Sequence, residues 1–164
     1  MSGVVTLWRI AAETREYKAD DLSGTGAAKG PGRWNSAGEY IVYTGSSIAI
    51  AVLETAAHIP TTGLPLNRFL VRISVPQALW DVRQITDLAA LDPAWNAIPA
   101  GRASIDHGST WYRARTSALL VVPSVIVPEE AAVLINAGHA DAKSITAETV
   151  RLFDYDRLFR GTTP

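Results

Sequence analysis

The sequence predicts an α+β fold: a single domain over residues 1–164 with mixed, mostly antiparallel sheets and short helices. Three observations predict it. Apolar residues make up 48% of the 164 positions and charged residues 19%, enough for one packed core and too hydrophobic for a disordered chain. Strand-like stretches with a period of two recur from end to end. Strands and helices are also interspersed without the regular βαβ alternation of a doubly wound sheet.

Val4–Ile10 alternates β-branched and aromatic residues, broken only by Arg9, and reads as a strand. Asp20 to Gly38 is a long Gly-rich connection, of a length that marks a mobile or functional loop. Tyr40–Thr44 is a short strand. Ser46 or Ser47 caps a helix running to about His58 and stopped by Pro60. Arg68–Val75 alternates cleanly and ends at Pro76. Leu79–Val82 reads as a further strand and Asp87–Leu91 as a helical turn. Asp106–Arg115 forms a helix leading into the strand Ala118–Val122. Pro123 and Pro128 bracket an irregular or edge segment, and Ala132–Asn136 and Glu148–Phe153 are the last strands.

Charge and composition narrow the function. Fifteen basic residues against 16 acidic ones give a net charge of −1, without the basic excess of a nucleic-acid-binding domain. The absence of cysteine excludes disulfides, thiolate metal sites and a cysteine nucleophile. No stretch approaches the ~20 apolar residues of a membrane span, and the N-terminus lacks the pattern of a secretory signal. A cytoplasmic protein without membrane or direct nucleic-acid contacts is the expectation.

Common motifs are missing. Gly24-Thr25-Gly26-Ala27-Ala28-Lys29-Gly30 lacks the spacing, and the preceding strand, of a dinucleotide fingerprint. His58, His107 and His139 are too scattered for a helical metal pair, so no metal is expected. There is no Gly-x-Ser-x-Gly elbow to anchor serine hydrolase chemistry.

Several residues depart from the plain pattern. The helix Ser47–His58 is apolar nearly all round, which marks burial on most sides, and Glu54 is its only carboxylate. The plainer account places Glu54 on a solvent stripe with Ile50 and His58. Arg33 lies in Gly30-Pro31-Gly32-Arg33-Trp34-Asn35, where glycines let a ligand approach and a guanidinium grips phosphate or carboxylate; it reads equally as a loop arginine stacked on Trp34. Arg9 interrupts a core strand, or sits at an edge with its side chain turned outward. Tyr43 reads as a core aromatic and Ser124 as a turn serine, if each is taken alone.

The ordered series Gly32-Arg33-Trp34-Asn35, Tyr43-Thr44, Ala51-Val52-Leu53-Glu54, Leu120-Val121-Val122-Pro123-Ser124 and Asn136 resembles the RES domain, a family named for an Arg, a Glu and a Ser. Leu7-Trp8-Arg9-Ile10 and Gly108–Trp111 extend the resemblance over about Leu7 to Asn136. It implies an ADP-ribosyltransferase-like fold and a toxin, half of a toxin–antitoxin pair, that degrades NAD⁺ by hydrolysis or phosphorolysis of the nicotinamide–ribose bond. Arg33, Glu54 and Ser124 would match the catalytic triad, with Arg9, Tyr43 and Asn136 binding substrate. NAD⁺ is then substrate, and no cofactor is needed. The implied partner is an Xre-type helix-turn-helix antitoxin that blocks the pocket, in a higher-order toxin–antitoxin complex.

These residue types suit that chemistry. Nicotinamide leaves as a neutral molecule from a cationic linkage, so no general acid is required. The barrier lies in an oxocarbenium-like ribose that a carboxylate such as Glu54 stabilises. Arg9 and Arg33 would clamp the pyrophosphate, Tyr43 would pack on the nicotinamide, and Ser124 would hydrogen-bond ribose or carboxamide. Two rivals remain open at this point: transfer of ADP-ribose to a protein or nucleic acid, and a non-catalytic module that binds a protein through the Gly-rich loop and exposed Trp residues.

Overall fold

Alternation in the sequence becomes a seven-stranded sheet in the computed structural model, which describes residues 3–59 and 62–158. The strands are β1 (Val4–Ala11), β2 (Ile41–Gly45), β3 (Phe69–Pro76), β4 (Gln84–Ile85), β5 (Leu119–Pro123), β6 (Ala131–Asn136) and β7 (Thr146–Leu152), in the order β4-β5-β6-β2-β1-β3-β7. Every neighbouring pair is antiparallel except β4–β5, which is parallel. The helices are α1 (Thr25–Ala28), α2 (Ile48–Ala56), α3 (Gln77–Asp81) and α4 (Arg102–Ala114). The mixed, mostly antiparallel α+β class is therefore observed, and no described helix is long and apolar enough to cross a membrane.

The pairing is uneven. β1 runs against β3 along its whole length, from Val4↔Pro76 to Ala11↔Phe69. Against β2 it meets at Trp8↔Gly45 alone, so the sheet has a seam at its centre. Successive side chains point to opposite faces of a strand. Leu7, Val42, Val71, Ile73, Leu119 and Val133 build one core cluster from both sides of that seam. The opposite face is covered in two places. Trp34, Trp95 and Trp111 pack on Ile41, Leu120 and Leu134, while Ala51 and Val52 of α2 pack with Ile10, Leu70 and Tyr155. Both functional loops described below lie over this second face or its margin.

Four readings of local structure need correction. Leu79–Val82 is not a strand. Pro76 sits at the N-cap of α3, and the Gln77 amide reaches Asp81 one turn on at 2.8 Å, so the segment closes into a short helix despite its apolar content. α4 starts at Arg102, before the expected Asp106, and an i,i+4 pair between those residues at 3.4 Å supports the added turn. α2 is not buried on most sides: Ile50, Ala51 and Val52 are buried, but Ile48 and Ala49 face outward because the helix rests on the sheet by one side only. The Gly-rich connection holds the short α1, and the two-residue β4 was not foreseen. Ser47 caps α2 by accepting from the Ile50 amide at 3.1 Å, while Pro60, the expected stop, lies outside the described residues.

Gly108 explains how α4 meets the rest of the fold. A Cβ at this position would stand 1.8 Å from the Trp34 carbonyl oxygen, so the helix rests directly on the main chain of the Gly-rich loop. That contact fixes the loop from above, and the sheet supports it from below.

Candidate active site

The site is assembled from four elements: the loop before β2, β2 itself, α2, and the turn after β5. Tyr43 rises from β2 on the face that carries Ile41 and Trp34. Its hydroxyl donates to Asn35 Oδ1 at 2.5 Å and accepts from the Trp34 amide at 3.1 Å. Asn35 is wholly buried, and its Nδ2 donates to the carbonyls of Ala27, Gly30 and Ser36 at 2.9, 3.3 and 2.9 Å. One carboxamide thus gathers both limbs of the loop and ties them to the strand below. Gly32 closes over the pair: a Cβ there would lie 2.5 Å from Asn35 Oδ1 and 2.8 Å from the Tyr43 oxygen. The residues on either side of Arg33 are consequently pinned.

The Arg33 side chain is pinned as well. Its Nη1 donates to the carbonyls of Trp95 and Ala97, both at 3.0 Å, leaving Nη2 and Nε for a ligand. Burial lowers its pKa, and Glu54 and then Tyr43 push it back up. The guanidinium remains a cation. Burial likewise drives the Tyr43 phenol well above its ordinary 10.0, so the hydroxyl stays neutral.

Glu54 is half-buried in the C-terminal half of α2. Its Oε1 accepts a hydrogen bond from the Ser124 hydroxyl. Ser124 is 1% exposed and also accepts from the Ile126 and Val127 amides, each at 3.2 Å, so the turn serine and the carboxylate partner are one residue. The plainer account of Glu54 fails on Ile50, which is buried and so cannot share a solvent stripe with it. The Glu54–Ser124 pair thus lies within electrostatic reach of Arg33, as does Tyr43.

Arg9 is placed next to this cluster rather than in it. β1 is an interior strand, which removes the edge account of Arg9. The side chain enters a recess of about 200 Å³ that includes Tyr17, Asp21, Gly26, Ile41 and Arg68 in its walls and none of Arg33, Tyr43, Glu54 or Ser124. Ile41 connects the two regions, since Tyr43 is two residues further along β2, about 7 Å at strand rise. Burial lowers the Arg9 pKa and Asp21 opposes that shift.

Asn136, expected to bind substrate, is placed away from the Glu54–Ser124 pair. It pairs with Ile41 at the end of β6, whereas Pro123, just before Ser124, pairs with Ala131 at the other end. Five strand residues separate them, about 17 Å. Asn136 is wholly buried, its Nδ2 donates to the Tyr112 carbonyl at 3.0 Å, and its Oδ1 accepts from the Gly138 amide at 2.9 Å. It fastens β6 to the end of α4.

Sequence reasoning missed four contributors. Asn35 was visible in the Gly32-Arg33-Trp34-Asn35 series, but nothing marked it as the centre of the loop. The Trp95 and Ala97 carbonyls carry no side-chain signature at all. Glu39 is 6% exposed and accepts from the Ser36 amide at 3.0 Å and the Ser109 hydroxyl at 2.9 Å, with Arg113 at 3.7 Å, binding the loop to α4. The histidines stand apart: His107 bonds Thr86 at 2.9 Å, His139 caps a turn, and His58 is exposed.

Comparison with known proteins agrees with this architecture. A family model described as the RES domain matches residues 6–157. The chain is 52% identical over 156 residues to the "Prs ADP-ribosylating toxin" of Sphingobium sp. (strain YBL2), covering 94% of this chain and 97% of that protein. It is 34% identical over 155 residues to the "Toxin Res" of Pseudomonas putida, covering 93% and 99% of the two chains. In fold it is similar to a chain from the crystal structure of the M. tuberculosis MbcT–MbcA toxin–antitoxin complex, with a TM-score of 0.66, 17% identity and coverage of 92% of this chain and 86% of that one.

Proposed function

This chain belongs to the RES domain family, and from that premise we propose that it is a toxin enzyme that breaks the nicotinamide–ribose bond of NAD⁺ and passes the ADP-ribosyl group to a protein. The observation that carries the reading is the convergence of an anchored arginine with a serine-held carboxylate. Glu54 faces the ribose and stabilises the positive charge that develops at C1′ as nicotinamide departs with the bonding pair. Ser124 holds the carboxylate through Oε1, which leaves Oε2 for substrate. Arg33 presents Nη2 and Nε to the pyrophosphate, and Arg9 extends the same grip from the adjoining recess. Tyr43 offers its ring to the nicotinamide while its hydroxyl secures the loop. The acceptor atom then bonds C1′ and releases its proton.

A protein acceptor is supported by the name of the Sphingobium relative, with which the chain shares 52% identity. Degradation, with water or phosphate as acceptor, is the second reading. It is favoured by the burial of Ser124 and the half-buried position of Glu54, which suit a small acceptor. An antitoxin of the Xre helix-turn-helix type, covering the site in a higher-order complex, belongs to the same proposal. The fold's similarity to a chain of a toxin–antitoxin complex supports it.

Incubation with adenine-labelled NAD⁺ and cell lysate tests the proposal. Nicotinamide release with label on a protein is expected; label in free ADP-ribose or its phosphate selects degradation instead. A folded protein that releases no nicotinamide overturns both.

A further inference from the structure

The recess beside the catalytic cluster holds more positive charge than the mechanism uses. Three cations line it, Arg9, Lys18 and Arg68, against one carboxylate, Asp21. The whole chain is nearly neutral at −1, so this concentration is local and not a reflection of composition. None of the three cations forms an ion pair among the described residues. Among the described residues, the sole side-chain hydrogen bond that any of them makes is from Arg68 Nη1 to the Asn67 carbonyl at 2.8 Å, which leaves further donors of that guanidinium for a ligand. Like charges gathered in a recess repel one another, and an anion of more than one charge relieves that repulsion.

The geometry limits which anion fits. Arg9 reaches the recess from β1, Arg68 from the residue before β3, and Lys18 from the loop between β1 and α1. Gly24, Thr25 and Gly26 also line the recess: Gly24 packs against the Tyr40 and Ile41 main chain, while the space beside Gly26 is open for a bulky group to lie against the backbone. The recess meets the catalytic cluster through Ile41, about 7 Å along β2 from Tyr43, a span comparable to a ribose and its 5′-phosphate.

We propose that Arg68 and Lys18 complete with Arg9 a subsite for the ADP portion of the dinucleotide, the three cations surrounding its two phosphates. The inference rests on the NAD⁺ reading above and adds to it the residues that recognise the far half of the substrate. Arg68 is the specificity-determining member: it brings a planar donor fork suited to a diphosphate to a recess that Arg33 does not line.

Calorimetric titration of the Glu54→Gln protein with ADP, which carries no nicotinamide–ribose bond to be cleaved, tests this directly. ADP is expected to bind, and Arg68→Ala in that background to weaken binding roughly ten-fold, as loss of a charge-assisted contact does. Lys18→Ala, at an exposed position where folding is not at issue, is expected to weaken it less and to flatten its salt dependence. In turnover, Arg68→Ala should raise KM for NAD⁺ far more than it lowers kcat. Equal ADP affinity in all three proteins, or no ADP binding in a folded protein, overturns the assignment. If wild-type protein releases nicotinamide while Arg68→Ala leaves KM unmoved, this inference falls and the proposed function stands. If ADP binds with the expected Arg68 dependence but no nicotinamide is ever released, the subsite stands and the proposed function falls.

Discussion

Ser124 and Glu54, 70 residues apart in the chain, meet in a hydrogen bond in which the serine hydroxyl donates to the carboxylate. The same serine oxygen accepts from two main-chain amides, so the carboxylate is oriented by a turn that is itself closed. Loss of this hydroxyl should harm both the turn and the chemistry. Ser124→Ala is expected to lower stability by about 1–2 kcal/mol and to cut NAD⁺ turnover roughly ten-fold or more. Thermal unfolding and nicotinamide release separate the two effects.

Tyr43→Phe keeps the ring and removes the oxygen that joins Asn35 to the Trp34 amide. Two hydrogen bonds are lost in a half-buried position, a cost of about 1–3 kcal/mol. Exchange of the Trp34 amide should accelerate, and KM for NAD⁺ should rise as Arg33 loses its fixed base. The variant should also change the alkaline limit. The folded pKa of Tyr43 lies above its ordinary 10.0, so its contribution to stability is complete below pH 10 and declines as pH rises from there toward the folded value. Denaturant titrations should show that decline in wild type and a shallower one in Tyr43→Phe.

Gly108→Ala places a methyl group where the Trp34 carbonyl lies 1.8 Å away. Either α4 lifts or the loop shifts, and a destabilisation of roughly 1–3 kcal/mol is expected from the strain. For a chain of this size each kcal/mol lowers Tm by about 2–4 °C. Differential scanning calorimetry measures it, and turnover should fall with it because the displaced loop carries Arg33.

His107 gives an acid-side prediction. Burial lowers its pKa below 6.5, so the folded protein favours the neutral ring. Its stabilising contribution is present above pH 6.5 and is lost as pH falls through that value toward the lower folded pKa. The ring lies 5.9 Å from Trp34, edge to face, so acidification should disturb tryptophan fluorescence before global unfolding. His107→Gln should remove that early change.

Much of this fold could be read from alternation alone. The β3 pattern needed no correction beyond its ends, because a strand between two neighbours must alternate where one face is buried more deeply than the other. Leu79–Val82 misled because its apolar residues flank Trp80, whose ring is covered by the Arg83 guanidinium at 4.3 Å in a helical turn. Such a local contact overrides a weak strand preference. At the site, the order of Arg33, Tyr43, Glu54 and Ser124 pointed to one cluster, and the structure brings them together. Asn136 shows what residue order leaves open: it follows the same series but lies at the far end of β6. Asn35 escaped notice for the opposite reason, since a loop asparagine usually serves its own turn and this one serves the whole loop.

The two carbonyls that hold Arg33 belong to Trp95 and Ala97, and a carbonyl is present whatever side chain its residue bears. The wall segment around them can therefore exchange its outward-facing side chains over evolutionary time while the guanidinium keeps its post. Asn96, Ala97 and Ile98 are exposed there, with Ile98 at 85%. Side-chain change at the rim is in this way uncoupled from the anchoring of the guanidinium.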